Sequence, residues 1–129
     1  MYGIFVNEDG GVRYAEAIVK GYKPIETRNR NMLKSLVGER VAVVRTRRGD
    51  HPMVVGFVDI VSAEYHTAEW LDSHRDQTLI PPGSKHDCAG KGKWCYLLAN
   101  PGDLYEPLPL PYDAIRHGLS WCEFDLHFM

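Results

Sequence analysis

The sequence predicts an α+β fold, in which a small mixed β-barrel is flanked by two or three short helices, in a single domain over residues 1–129. Segments rich in β-branched residues alternate with turns along the chain, and short amphipathic segments lie between them. The 12 Gly and 8 Pro favour a loop-rich fold with strands over a helical bundle. Strands interspersed with short helices are typical of a small mixed barrel.

Three segments are expected to be helical. The first covers 13–20, where apolar residues recur at the i, i+3 and i+4 spacing of one helix face. Gly21 is a natural end for this helix, because glycine tolerates the left-handed conformation at a helix C-terminus. The second is a helical turn over 31–36. The third begins at Thr67, a favourable N-cap residue, and runs to about residue 77.

The strands are recognised by β-branched and alternating apolar residues. Gly56 interrupts the second strand and is expected to mark a β-bulge. A turn is expected over 100–103, and the Pro-rich segment after it belongs at a sheet edge, because Pro cannot donate to the ladder. In chain order, the expected strands cover 40–46, 53–61, 94–99, 104–110 and 119–128.

Charge is distributed unevenly along the chain. The net charge is −2, yet residues 20–48 carry nine Lys and Arg and two acids, so this segment has a charge of +7 and the remainder has −9. Such segregation favours an anionic partner such as nucleic acid. The alternative is a solvated basic strand and helix end with no partner.

Several classes of protein are disfavoured by the composition. No apolar run approaches the roughly 18 residues that a membrane-spanning helix needs, and the first residues lack the features of a signal peptide. We therefore expect a cytoplasmic protein with no membrane partner. Three cysteines argue against a disulfide framework. His86, Cys88 and Cys95 are possible metal ligands, but without a C-x-x-C pair we expect no metal ion and no cofactor.

The most specific motif follows the first predicted helix. There Gly21 precedes Lys23, Glu26 and Arg28, which have K-x-x-E-x-R spacing. Weaker motifs follow in order, V-G-E-R-V-A-V at 37–43 and V-V-G-F-V-D-I at 54–60 among them. Together these motifs resemble the ASCH domain family of the PUA-like superfamily over most of the chain.

The resemblance implies a PUA-like pseudobarrel with a cleft, and RNA or a modified nucleoside as its ligand. Members of the family differ in function. Some are RNA-binding or coactivator-associated modules, one bacterial branch hydrolyses acetylated cytidine, and another has been linked to RNA cleavage. Because fold-level kinship does not settle function, both binding and hydrolysis stay open for this chain.

The amidohydrolase branch has a Lys, a Thr three residues later, and a Glu beyond the second long strand. Lys23 matches the first of these, but Glu26 stands where the Thr would be. The neighbouring Thr27 is expected to face the other way. Glu64 or Glu69 could supply the distant acid. This departure disfavours hydrolysis of acetylated cytidine and leaves another hydrolysis open.

The residue types of the motif allow two kinds of site. If 26–28 is extended, Glu26 and Arg28 project to one face. Lys23 beside Glu26 is a plausible acid–base pair for a small hydrolase, either an amidohydrolase or a ribonuclease. In a binding site, Lys or Arg would hold phosphate and Glu would accept a hydrogen bond from an exocyclic amine. Alternatively, Glu26 forms an ion pair with Arg28 or Arg45, which would attach the loop after Gly21 to the barrel.

The binding hypothesis assigns the cleft and its rim to one aromatic residue and seven charged ones. Tyr22 is the first candidate for stacking, because an aromatic ring can stack on any nucleobase. The predicted nucleic-acid or nucleoside-binding residues are Tyr22, Lys23, Glu26, Arg28, Arg30, Arg45, Arg47 and Arg48.

Overall fold

A computed structural model describes residues 1–9 and 11–125. These residues form a seven-stranded mixed sheet with three short α-helices, so the α+β class is confirmed. The strands are β1 (Tyr2–Asn7), β2 (Ile25–Arg28), β3 (Arg40–Thr46), β4 (Met53–His66), β5 (Lys93–Pro109), β6 (Ile115–His117) and β7 (Trp121–Glu123). The helices are α1 (Tyr14–Val19), α2 (Ala68–Ser73) and α3 (Arg75–Thr78), with a 3₁₀ helix at Lys34–Leu36.

The sheet is open. Its strand order is β2-β5-β4-β3-β1-β7-β6, and within the described residues no pairing joins the edge strands β2 and β6. The expected small mixed β-barrel is therefore wrong, because the sheet does not close. The two edge strands have four and three residues, too few to continue the ladder around a barrel. A side chain spans part of the gap instead, because Nη2 of Arg28 donates to the backbone carbonyl of Phe5 on β1 at 2.7 Å.

The long strands β4 and β5 form the centre of the sheet, and their antiparallel register shifts at three places. One shift lies at Gly56, which confirms the expected bulge. A Cβ atom at Gly56 would lie only 2.1 Å from the backbone oxygen of Gly102, so the two strands approach closely because this residue has no side chain.

The prediction of a turn over 100–103 is wrong. Asn100 takes a positive φ of 50°, but the chain continues within β5. There Asp59 pairs with Ala99 and Phe57 pairs with Gly102, so β5 carries an extra residue relative to β4. The Asn-Pro-Gly-Asp sequence, read as a turn, forms a bulge because β4 is long enough to pair with both halves of β5.

Most other elements lie near their expected places. β3 has the expected bounds, and Gly21 follows α1 with a φ of +82°. The hydroxyl of Thr67 accepts from the amide of Trp70 at 3.2 Å and so caps α2. The sequence did not indicate β1, β2 or β6. Of the last expected strand, the structure has β7, while residues 126–128 lie outside the described residues.

One face of α1 packs against the sheet and positions the segment that follows it. Tyr14, Ala15, Ile18 and Val19 are buried in the larger of the apolar clusters. Glu8 accepts hydrogen bonds from the first amides of the helix. Among the described residues no helix has the length and apolar character needed to cross a membrane.

Candidate functional site

A cleft of ≈ 520 Å³ lies beside β2, at the gap that the Arg28 side chain spans toward β1. Its volume falls within the range of about 300–1,000 Å³ that small-molecule sites occupy. Residues of β1 and β2 line it, together with residues of β6 and of the loop before β5. Its main polar and aromatic lining residues are Phe5, Asn7, Tyr14, Lys23, Glu26, Thr27, Arg28, Thr46, Lys85, His86 and Arg116.

Three residues of the predicted site, Lys23, Glu26 and Arg28, come together in this cleft. The chain reverses at Gly21, and two residues later Lys23 turns inward with only 1% of its surface exposed. Its Nζ lies 3.8 Å from Oε1 of Glu26, whereas Nη2 of Arg28 lies 3.1 Å from Oε2. Because β2 is extended, Glu26 and Arg28 project to the same side, as the sequence predicted.

The amine of Lys23 is held on three sides. It donates to the backbone carbonyl of Thr78, lies 5.0 Å from the centre of the Tyr14 ring, and faces Glu26. Burial lowers its pKa below the usual value, and the Glu26 carboxylate only partly offsets that effect. Lys23 can therefore give up its proton more readily than a solvated lysine.

Glu26 is buried but stays ionised. Burial alone would raise its pKa, yet the charges of Arg28 and Lys23, together with hydrogen bonds from Thr27 and Arg28, outweigh burial, so the pKa of Glu26 lies below its usual value. The backbone amide of Thr27 donates to Oε1 at 3.0 Å. The ion pair with Arg28 that the sequence allowed is present. Arg45 takes no part in it and pairs with Val6 in the β1–β3 ladder.

The loop before β5 supplies a second wall of the cleft. The ring of His86 lies edge-on to Tyr14, with 5.8 Å between centroids, and its backbone carbonyl accepts from Lys93. Nε2 of His86 and Oγ of Ser84 are both buried and have no hydrogen-bond partner in the described part of the chain. Burial, assisted by the charges of Lys93 and Lys85, lowers the pKa of His86. The imidazole is therefore held in its neutral form.

The other five predicted residues lie outside the cleft lining. Tyr22 is 69% exposed, because Lys23 takes the inward position directly after it. Arg30 is exposed, and Arg45 belongs to the β1–β3 ladder. The predicted stacking residue thus lies outside the cleft, whose lining includes the aromatic side chains of Phe5 and Tyr14.

The two candidates for a distant acid do not reach the cleft either. Glu64 lies on β4 beside His66 and lines a smaller cavity of ≈ 220 Å³ together with Trp70. Glu69 is exposed in the first turn of α2. Thr27, by contrast, was expected to face away and is among the residues that line the cleft.

Arg47 and Arg48 line a second, more open cavity of ≈ 580 Å³. It shares Asn7, Thr46 and Lys85 with the cleft, so the two are contiguous. Nη2 of Arg47 lies 2.9 Å from Oε1 of Glu8, which is buried. Arg47 is therefore held by a carboxylate of the protein itself.

The possible metal ligands are not assembled into a site. Over residues 1–9 and 11–125 no three His, Cys, Asp or Glu side chains come close enough to hold a metal ion. Cys95 and Cys122 are buried free thiols whose pKa values burial raises to about 11. Their burial and high pKa make them poor ligands and poor nucleophiles.

Comparison with known proteins supports the fold. No protein-family model matches the sequence, and no curated protein matches it either. A crystal structure of the ASCH protein from Zymomonas mobilis is similar with a TM-score of 0.65, at 19% identity over 84% of this chain and 73% of that chain. The chain has an ASCH-like fold.

Two variants of the same Zymomonas mobilis protein are similar to a comparable degree. A Tyr-to-Phe variant has a TM-score of 0.64 at 22% identity, over 84% of this chain and 76% of that one. A Ser-to-Ala variant has a TM-score of 0.63 at 21% identity, over 83% and 73%. At such identities the likeness to ASCH proteins concerns the fold, so the function must be argued from the cleft.

No sequence motif indicated the remaining cleft residues. Tyr14 has the spacing of a core residue on α1, and its contact with Lys23 depends on the reversal at Gly21. Lys85 and His86 lie in an irregular loop, and Arg116 lies on a three-residue edge strand. Their contribution depends on tertiary packing, for which these short segments carry no local pattern.

Proposed function

We propose that this chain is a cytoplasmic, PUA-like ASCH domain that binds RNA or a modified nucleoside, with one base and its ribose in the cleft. The observation that carries the proposal is an ionised carboxylate, Glu26, held by Lys23 and Arg28 in a cavity of one-nucleoside size. A fixed carboxylate is a suitable acceptor for the exocyclic amine of a base.

The environment of Glu26 favours binding of a planar polar ligand. Phe5 and Tyr14 provide aromatic walls, and contact between a base and an aromatic ring contributes about 1–3 kcal/mol. Because Arg28 is held by Glu26 and by the carbonyl of Phe5, the carboxylate cannot turn away from the cleft without breaking these contacts. The site is thus organised before the ligand arrives.

The charges in the cleft favour an anionic or electron-rich ligand. Besides Lys23 and Arg28, the lining includes Lys85 and Arg116, against the single carboxylate of Glu26. A concave surface that is lined by charges of one sign concentrates ligands of the opposite charge. The phosphodiester backbone of RNA fits this requirement.

The second candidate is a small hydrolase, either an amidohydrolase acting on an acylated nucleoside or a ribonuclease. The observation that favours it is the lowered pKa of Lys23, 3.8 Å from Glu26, with Thr27 also lining the cleft. A lysine with a lowered pKa beside a carboxylate can act in general acid–base catalysis. Against it, neither Glu64 nor Glu69 reaches the cleft as a further acid.

Replacement of Glu26 distinguishes the two functions. Binding of the four ribonucleosides, N4-acetylcytidine and a short single-stranded RNA is measured by calorimetry for the wild type, Glu26→Gln and Lys23→Met. Gln keeps an acceptor oxygen, so we expect Glu26→Gln to lose about 1–3 kcal/mol of binding free energy. Glu64→Gln is the matched control, since it removes a carboxylate outside the cleft, and it should bind like the wild type.

Turnover of N4-acetylcytidine and of the RNA is measured on the same proteins, with melting curves to verify folding. Wild-type turnover that Glu26→Gln lowers about 10²–10⁴-fold, with binding largely kept, would establish the hydrolase instead. Absence of binding by the folded wild type to every probe would contradict the proposed function. A lower melting temperature of Glu26→Gln with unchanged affinity would show that the carboxylate has a structural role only.

A further inference from the structure

The second cavity continues from the cleft and has an excess of positive charge. It shares Asn7, Thr46 and Lys85 with the cleft, so the two cavities adjoin at these residues. Arg47, Arg48 and Lys85 line it against the one carboxylate of Asp9. Its composition therefore suits a small anion linked to whatever occupies the cleft.

The cations of this cavity are not equivalent. Both Nε and Nη2 of Arg47 bind Oε1 of Glu8, at 3.2 and 2.9 Å, and Glu8 also accepts from the amide of Ala15 in α1. Arg47 thus links the end of β3 to α1. The side chains of Lys85 and Arg48 form no ion pair within the described chain, so their charges are available to a ligand.

Arg48 is positioned by its backbone. Its amide donates to Oδ1 of Asp9 at 2.6 Å, and the amide of the Asn7 side chain donates to Oδ2 at 2.9 Å. These hydrogen bonds, with the nearby charges of Lys85 and Arg48, lower the pKa of Asp9. Both oxygens of Asp9 are engaged, and its carboxylate serves to fix the chain that presents Arg48.

The loop that carries Lys85 is stabilised by hydrogen bonds to Asp87. Asp87 accepts from the amides of Gly83 at 2.7 Å and Cys88 at 2.8 Å, and it forms an ion pair with Arg75. The two backbone hydrogen bonds, followed by Arg75, lower the pKa of Asp87 to about 2. Lys85 therefore extends from a segment whose backbone is fixed at the junction of the two cavities.

We infer that this cavity is a phosphate subsite, in which Lys85 and Arg48 bind a phosphate group carried on the ribose of a nucleoside in the cleft. The inference rests on the proposed function, and it names the ligand class more closely as a phosphorylated nucleoside. Lysine and arginine are the residues that bind phosphate oxygens through charge-assisted hydrogen bonds. Arg47, already held by Glu8, has a structural role.

The test compares each ribonucleoside with its 5′-monophosphate and its 3′-monophosphate by calorimetry. For the wild type we expect at least one monophosphate to bind about tenfold more tightly than the nucleoside, and the position of the preferred phosphate identifies the end of the ribose that faces Lys85. Lys85→Gln and Arg48→Gln should each remove most of this advantage. Arg48→Gln should also leave the affinity for the nucleoside unchanged, because Arg48 does not line the cleft. Raising the salt concentration should reduce the advantage in the wild type, because a phosphate contact releases counterions.

Lys91→Gln is the matched control, because Lys91 is exposed in the same loop and lines neither cavity. It should keep the full advantage of the monophosphate. Equal affinities for nucleosides and monophosphates, or an advantage that survives both Lys85→Gln and Arg48→Gln, would overturn the phosphate subsite and leave nucleoside binding intact. Failure of the wild type to bind any nucleoside or monophosphate would overturn the proposed function together with this inference.

Discussion

At the scale of single residues, the cleft depends on charges that are buried together. Glu26 stays ionised because Arg28 and Lys23 compensate the cost of removing its carboxylate from water. The same burial lowers the pKa of Lys23. Removing one member leaves the others uncompensated, which is why replacements of Glu26 need a stability measurement beside every binding measurement.

The neutral imidazole of His86 leads to a prediction about pH. Burial, with Lys93 and Lys85, lowers its pKa in the folded protein below the ordinary value of 6.5, so the unfolded chain binds the proton more readily. The stabilisation from neutral His86 is thus complete above pH 6.5 and is lost as the pH falls through the folded-state pKa. We expect the free energy of unfolding to decrease below pH 6.5, and to decrease less in His86→Gln.

Urea unfolding of both proteins between pH 7.5 and 5 measures this difference. All other ionisable groups are the same in both proteins, so their contributions cancel in the comparison. Parallel pH profiles for the wild type and His86→Gln would contradict a buried, neutral His86.

At the scale of elements, the paired strands β4 and β5 set the shape of the sheet through their shifts in register. Bulges increase the local twist and bend the strand that carries them. The sequence indicated one of these shifts through Gly56, whereas the one at Asn100 had the composition of a turn. A local pattern cannot tell a turn from a bulge when the outcome depends on the length of the neighbouring strand.

The close approach at Gly56 leads to a prediction about stability. A methyl group there would overlap the backbone oxygen of Gly102 and the side chain of Val19, at 2.1 and 2.6 Å, and backbone cannot move aside cheaply. We expect Gly56→Ala to lower the free energy of unfolding by about 3 kcal/mol or more. Equilibrium unfolding in urea measures the loss.

Gly102→Ala is the control in the same ladder. Its methyl group would meet only the end of the Arg40 side chain, at 3.2 Å, which is flexible. We expect it to cost far less than Gly56→Ala. Similar losses for both variants would show that the strands can separate at Gly56 without cost.

Elements with strong local signals were predictable from the sequence. β3 has a core of three valines and one alanine between two polar ends, and Thr67 has the side chain that an N-cap requires. The segment of β2 was expected to lie in a loop, because it belongs to a polar stretch that follows Gly21 and contains Pro24. Its strand character comes from pairing with β5, which lies far away in sequence.

At the scale of the whole molecule, the cations of the basic segment 20–48 are not all available to an anionic partner. Acids from other parts of the chain pair with several of its cations, as Glu8 does with Arg47 and Asp59 does with Arg40. The cleft instead gains Lys85 and Arg116, which lie outside that segment. Charge counted along the sequence indicated an anionic ligand, but the positions of the available cations depend on the fold.

The central claim is that the cleft beside β2 is the ligand-binding site. The most direct measurement is an NMR titration of the ¹⁵N-labelled protein with ribonucleosides and their monophosphates, in which every backbone amide is observed. The account expects saturable shifts at Asn7, at 23–28 and at 84–86, with Tyr22 and the cavity beside Trp70 little affected. Saturable shifts centred on Glu64, His66 and Trp70, with the amides of 23–28 unmoved, would contradict it.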